Sequence, residues 1–119
     1  LNIERGWDPY RAYAASKLAN IVFTRQLAAN LKRTAVTANT LHPGVIGTKL
    51  LRAGFSIAGG KPADGARTPV YLVDDAALAG VSGRYFVDCR ATTPSRAALD
   101  DRLAQAVWDA TANAVIAYL

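Results

Sequence analysis

Tyr13 and Lys17 are the residues whose types and spacing can do chemistry together. On a helix, positions four apart share one face, about one turn from each other. The pair would then present a phenol and an ammonium side by side. A free phenol is a poor base at neutral pH, and a neighbouring positive charge favours its phenolate form. Such a pair suits a proton donor and acceptor. Lys17 also carries three donors that can reach the hydroxyls of a sugar. The same spacing occurs wherever an exposed tyrosine stands beside a solvated lysine, so the surrounding elements must decide.

The elements expected to hold the pair read as an alternation. No Pro or Gly falls between Tyr10 and Arg33, and Ala and Leu are frequent there, which predicts a long helix. Leu18, Val22 and Arg25 follow one face, and Ala19, Phe23, Leu27 and Leu31 another. Apolar residues on more than one face predict burial between a sheet and a partner helix. The β-branched run Thr34–Leu41 predicts a buried strand, ended by His42-Pro43-Gly44. The glycine-rich stretch 44–61 reads as a loop with a short helix near Thr48–Ala53. Pro62 opens a helix to about Asp75 whose inner face would be Ala66, Val70 and Val73. Gly80 and Gly83 bracket a turn, and Arg84–Val87 reads as a second strand. Pro94 and Ser95 begin a last helix with Leu99, Leu103, Val107 and Ala110 at helical spacing. Ahead of these, residues 1–9 read as a loop with Trp7 as a packing anchor. Alternating helices and strands predict an α/β fold with a parallel sheet and helices on both faces.

Composition narrows the function. The 119 residues suit a single domain, and 51% hydrophobic with 19% charged residues is a globular composition. The net charge of +5 is scattered from Arg5 to Arg102, which argues against a nucleic-acid footprint, since such footprints cluster. The single cysteine, Cys89, allows no intrachain disulfide and fits a reducing compartment; the expected location is cytoplasmic. No apolar stretch is long enough to span a bilayer. One histidine and one cysteine make no metal cluster. His42 is read as packed or hydrogen-bonded, Cys89 as buried, Ser16 as a local cap, and Tyr85 and Phe86 as core. The start, Leu1-Asn2-Ile3-Glu4-Arg5, is neither an initiator methionine nor a signal peptide, and the chain is expected to begin inside a longer one.

Taken in order, YAASKLANI at 13–21, HPGVIGT at 42–48, GARTPVYL at 65–72, GRYF at 83–86 and the late Trp108 resemble the short-chain dehydrogenase/reductase family. The likeness is nearest to its retinol dehydrogenase and WW-domain oxidoreductase branch. The resemblance implies the C-terminal part of a Rossmann-like, doubly wound parallel sheet with flanking helices, with residues 1–119 as the C-terminal half of one such domain. It implies an oxidoreductase using NAD or NADP on an alcohol or ketone, with Tyr13 as the acid/base and Lys17 on the nicotinamide ribose. Pro43 and Gly44 would carry the chain under the nicotinamide, where a glycine allows close backbone approach. The backbone of Ile46 would face the carboxamide, and Thr48 would contact the carboxamide or pyrophosphate. Residues 49–61 would cover the substrate, with Leu50, Leu51, Phe55 and Ile57 as an apolar lid and Gly54, Gly59 and Gly60 giving it mobility. That lid points to a lipophilic substrate.

The family's glycine-rich phosphate turn and catalytic serine precede the tyrosine. They are expected upstream of Leu1, so these residues alone are expected to be inactive. Helix 10–33 would carry a homo-oligomer contact. A non-catalytic dimerisation or partner-binding module that keeps the fold is the reading from another class. Epimerases and dehydratases share the tyrosine and lysine but have longer C-terminal regions.

Overall fold

The computed structural model describes residues 6–55 and 57–118. The first residues of the expected N-terminal loop, 1–5, lie outside them. The described chain is α/β. Helix α1 spans Pro9–Asn30, β1 Thr40–His42, α2 Lys49–Gly54, α3 Pro62–Asp74, β2 Tyr85–Val87, β3 Arg90–Thr92 and α4 Asp101–Val115. Short 3-10 turns stand at Ala76–Leu78, Arg96–Leu99 and Ile116–Tyr118.

Helix α1 starts where its cap dictates. The Asp8 carboxylate accepts from the Tyr10 and Arg11 N–H groups at 2.8 and 3.1 Å, and Pro9 supplies the first turn. Val22 is fully buried and Ala28 nearly so. Val22 joins Ala98 and Ala104 in the core, with Leu18, Ile21, Leu103 and Val107 around them. Phe23 stacks on Trp108 of α4, with ring centroids 4.9 Å apart. Arg25 reaches across to donate to the Ala98 carbonyl at 2.6 Å and to Asp101 at 2.8 Å. Helix α1 thus packs against α4 and also against β1, the two-sided burial that its apolar faces require. Trp7 is 74% exposed and anchors nothing within the described chain, contrary to expectation.

The strand expected at Thr34–Leu41 shrinks to Thr40–His42, one residue beyond the expected end. Thr34 explains much of this. Its hydroxyl donates back to the Leu31 carbonyl at 2.9 Å and accepts the Val36 N–H at 3.1 Å. These local bonds compete with a ladder, and Val36 is left 60% exposed. Asn39 then substitutes side-chain for strand pairing. Its amide donates to the Val81 carbonyl at 2.7 Å and its oxygen accepts the Arg84 N–H at 3.0 Å.

The three-stranded sheet has the order β1-β2-β3. β1 and β2 are parallel, with Leu41 opposite Phe86. β2 and β3 are antiparallel, with Phe86 opposite Ala91. The sheet is therefore mixed, not wholly parallel. A two-residue turn at Asp88-Cys89 can join only antiparallel strands. The exposed Arg90–Thr92 carries no apolar alternation, which is why β3 was not anticipated.

The face of α3 also differs from its hydrophobic pattern. Val70 is 59% and Val73 91% exposed, whereas Thr68 is buried. Thr68, with the half-buried Gly65, Tyr71 and Leu72, forms the inner stripe. A β-carbon at Gly65 would lie 2.8 Å from Ile46 Cγ1, so a small residue is needed where α3 crosses the loop after β1. Small and polar residues at the closest approach hide the stripe from a hydrophobicity count. The last helix begins later than Pro94-Ser95 suggests. Ser95 caps the 3-10 turn and Asp100 caps α4, accepting from the Arg102 and Leu103 N–H groups.

Candidate active site

Tyr13 stands on the second turn of α1 and Lys17 one turn further on. The Lys17 ammonium lies 5.2 Å from the centroid of the Tyr13 ring, so helical spacing does bring the pair together. Tyr13 remains 44% exposed. The Ser16 hydroxyl donates to the Tyr13 carbonyl at 2.7 Å, a local helix contact.

β1 delivers its end to the same place. At the strand end the His42 Nδ1 accepts the Gly44 N–H at 2.7 Å. Gly44 has φ +91°, a region that side chains rarely enter. Its built β-carbon would meet only Ile46 Cδ1, at an ordinary 3.6 Å, so the backbone angle and not crowding requires glycine. Thr48 caps α2, its hydroxyl accepting the Leu51 N–H at 3.2 Å. Ile46 forms a parallel bridge with Gly60.

Two cavities meet at Tyr13, His42, Pro43 and Gly44. One, of about 490 Å³, is completed by Lys17, Asn20, Thr40 and Tyr85 among others. The other, of about 320 Å³, is completed by Val45, Ile46, Thr48, Leu50, Leu51, Phe55 and Ile57. The expected cofactor residues are therefore divided. Tyr13, Pro43 and Gly44 line both cavities, Lys17 only the first, and Ile46 and Thr48 only the second. The expected apolar cover does line the second cavity. Tyr85, expected in the core, lines the first, while Phe86 is 2% exposed. Adjacent strand residues point to opposite faces, and that alternation was the available signal.

Within segment 44–60, Gly47 and Gly59 serve close packing. Gly47 N–H donates to the Gly60 carbonyl at 2.9 Å, and Gly60 N–H to the Val45 carbonyl at 2.8 Å. A β-carbon at Gly59 would sit 2.3 Å from the Gly47 nitrogen and 2.4 Å from the Ile46 carbonyl carbon. Backbone cannot yield to that contact as a flexible side chain would. Gly59→Ala is expected to lower stability by about 1–3 kcal/mol, as overpacking does. Denaturant titration of the full-length protein checks this; an unchanged midpoint would mean the clasp is not fixed.

Phe55, at the end of α2, meets Tyr10 and Tyr13 edge-on, with centroids 5.2 and 5.8 Å apart. Such pairs contribute about 0.5–1.5 kcal/mol beyond their buried area. The Tyr10 hydroxyl also donates to the Gly54 carbonyl, at 3.4 Å. Sequence reading gave Tyr10 no part here. Its signal was the three-residue spacing to Tyr13, which puts both rings on one helix face. Among the described residues no group of three or more His, Cys, Asp or Glu side chains could hold a metal. None of the described helices is long and apolar enough to cross a membrane.

The short chain dehydrogenase family matches residues 2–56. Human retinol dehydrogenase 14 is 38% identical over 122 residues, which cover 92% of this chain and 36% of that protein. Bovine dehydrogenase/reductase SDR family member 13 is 38% identical over 119 residues, covering 89% and 32%. The Brassica napus short-chain dehydrogenase TIC 32 B, chloroplastic, is 40% identical over 111 residues, covering 83% and 35%. The chain thus spans about a third of the length of these curated relatives. No solved structure matches it. The match over 2–56 takes in both Tyr13-Lys17 and the turn after β1, and with these relatives it shows that the chain belongs to the short-chain dehydrogenase/reductase family, near the retinol dehydrogenase branch.

Proposed function

We propose that this chain supplies the acid/base half of a nicotinamide-dependent oxidoreductase domain acting on a lipophilic alcohol or ketone. The observation that carries the reading is the position of Tyr13. It lies at the junction of two cavities, one holding Lys17 and the other walled by Leu50, Leu51, Phe55 and Ile57. A polar ligand on one side and an apolar one on the other would both reach the phenol.

The first cavity fits a nicotinamide ribose. The Lys17 ammonium and Asn20 amide provide donors for sugar hydroxyls, and the Pro43-Gly44 turn brings backbone with no β-carbon to the wall. Tyr13, Lys17, Pro43 and Gly44 would hold the group there, and Ile46 and Thr48 would meet it only where it extends into the second cavity. When bound, the nicotinamide supplies or takes up the hydride. Tyr13 donates a proton to the carbonyl oxygen during reduction and accepts the hydroxyl proton during oxidation. Lys17 keeps a positive charge beside the ring as that proton moves. Leu50, Leu51, Phe55 and Ile57 would present an apolar wall to the reacting carbon and favour an apolar substrate. The three strands would form one side of a larger doubly wound sheet, completed by the dinucleotide-binding half.

The test uses the full-length protein. It should bind NADH or NADPH and reduce lipophilic ketones faster than short polar ones. Absence of binding to both dinucleotides would overturn the reading.

A further inference from the structure

We infer that Phe55 is a positioning residue for Tyr13, setting the orientation of the phenol through an edge-on contact. The inference rests on the proposed role of Tyr13 and adds what holds that side chain in place.

Three observations carry it. Phe55 touches Tyr10 and Tyr13 together, with interplanar angles of 70° and 66°, so it fills the notch between two rings on one helix face. Its backbone is fixed, because its N–H donates to the Leu51 carbonyl at 2.8 Å and the preceding Gly54 carbonyl accepts the Tyr10 hydroxyl. Tyr13 is thereby contacted from two directions, by Phe55 at 5.8 Å and by the Lys17 ammonium at 5.2 Å. The backbone clasp at Gly47, Gly59 and Gly60 secures the base of the same segment. A half-exposed tyrosine on a helix surface has several staggered side-chain orientations open to it. The Phe55 ring blocks those that would swing the phenol toward α2.

The experiment compares Phe55→Leu, Phe55→Ala and Phe55→Tyr in the full-length protein. Leu removes the ring while keeping most of the volume, which guards against a variant that fails to fold. The first readout needs no cofactor: the Tyr13 ring resonances by NMR, assigned with Tyr13→Phe. They should shift and broaden in Phe55→Leu and return in Phe55→Tyr. The second is kinetic. At saturating substrate, kcat should fall by about 10- to 100-fold in Phe55→Leu, the scale expected when a reacting group is displaced by about an ångström. Phe55→Tyr should restore it, and cofactor affinity should stay unchanged in every variant.

Unmoved Tyr13 resonances, or a loss confined to the substrate KM, would overturn the inference. If Tyr13→Phe is inactive while Phe55→Leu keeps full kcat, only the positioning role falls. If Tyr13→Phe keeps its turnover, the proposed function falls and the positioning role falls with it.

Discussion

Replacing Tyr13 with phenylalanine in the full-length protein is expected to lower kcat by about 100- to 10,000-fold, the range over which a positioned acid/base contributes. The change deletes one oxygen and leaves the ring. The edge-on contact with Phe55 and the Lys17 ammonium over the ring face both survive it. Binding of the dinucleotide should therefore persist, since the Lys17, Asn20 and Gly44 walls are untouched. Stability should also hold, because Tyr13 is 44% exposed and its hydroxyl makes no hydrogen bond among the described residues. The check is steady-state turnover beside equilibrium titration of the dinucleotide. Wild-type turnover in the variant would remove Tyr13 from the mechanism; parallel loss of turnover and binding would show that it serves the pocket's shape instead.

The largest expected effect on stability lies at Phe86. It is 2% exposed, sits in the middle of β2, and meets Tyr71 of α3 edge-on at 6.3 Å. Phe86→Ala is expected to cost about 3–5 kcal/mol, the range for emptying a buried aromatic site. The consequence reaches the active site. β2 pairs with β1, whose last residue His42 receives the Gly44 N–H and so shapes the turn beside Tyr13. Denaturant titration of the full-length protein measures the loss, and Phe86→Leu should recover much of it. A midpoint unchanged in Phe86→Ala would show that α3 does not depend on this strand for its seat.

Chemistry was more legible in the sequence than packing. Tyr13 and Lys17 meet because four-residue spacing on a helix leaves little choice, and the Pro43-Gly44 turn follows from residue types alone. Long α1 was readable for the same local reason. What escaped was settled by contacts distant in sequence. Thr34–Asn39 looks like a strand by composition, but the Asn39 side chain takes the backbone groups around Val81 and Arg84 before a ladder can form. The α3 stripe runs through Gly65 and Thr68, which no hydropathy count marks as inward. Tyr85 and Phe86 looked alike as core, and only the alternation of the strand separates a cavity wall from a buried ring. The role of Gly59 as a point of contact was equally hidden. Glycine reads as freedom in a sequence, and here it permits two backbones to touch.

The turn between β2 and β3 bears on which parts of the molecule open together. Asp88 and Cys89 both have positive φ, 48° and 58°, where each non-glycine residue carries a penalty of about 1–2 kcal/mol. Hairpins with such turns favour Asn-Gly because glycine escapes that penalty. Cys89 has instead a tie to α3: its N–H donates to the Thr68 hydroxyl at 3.2 Å, 21 residues away in sequence. The turn therefore draws on α3 to offset that penalty. Hydrogen exchange at the Cys89 amide should follow the opening of α3, with the turn and helix released in one step. In terms of cooperativity, β3 is expected to open together with a helix to which no strand ladder connects it.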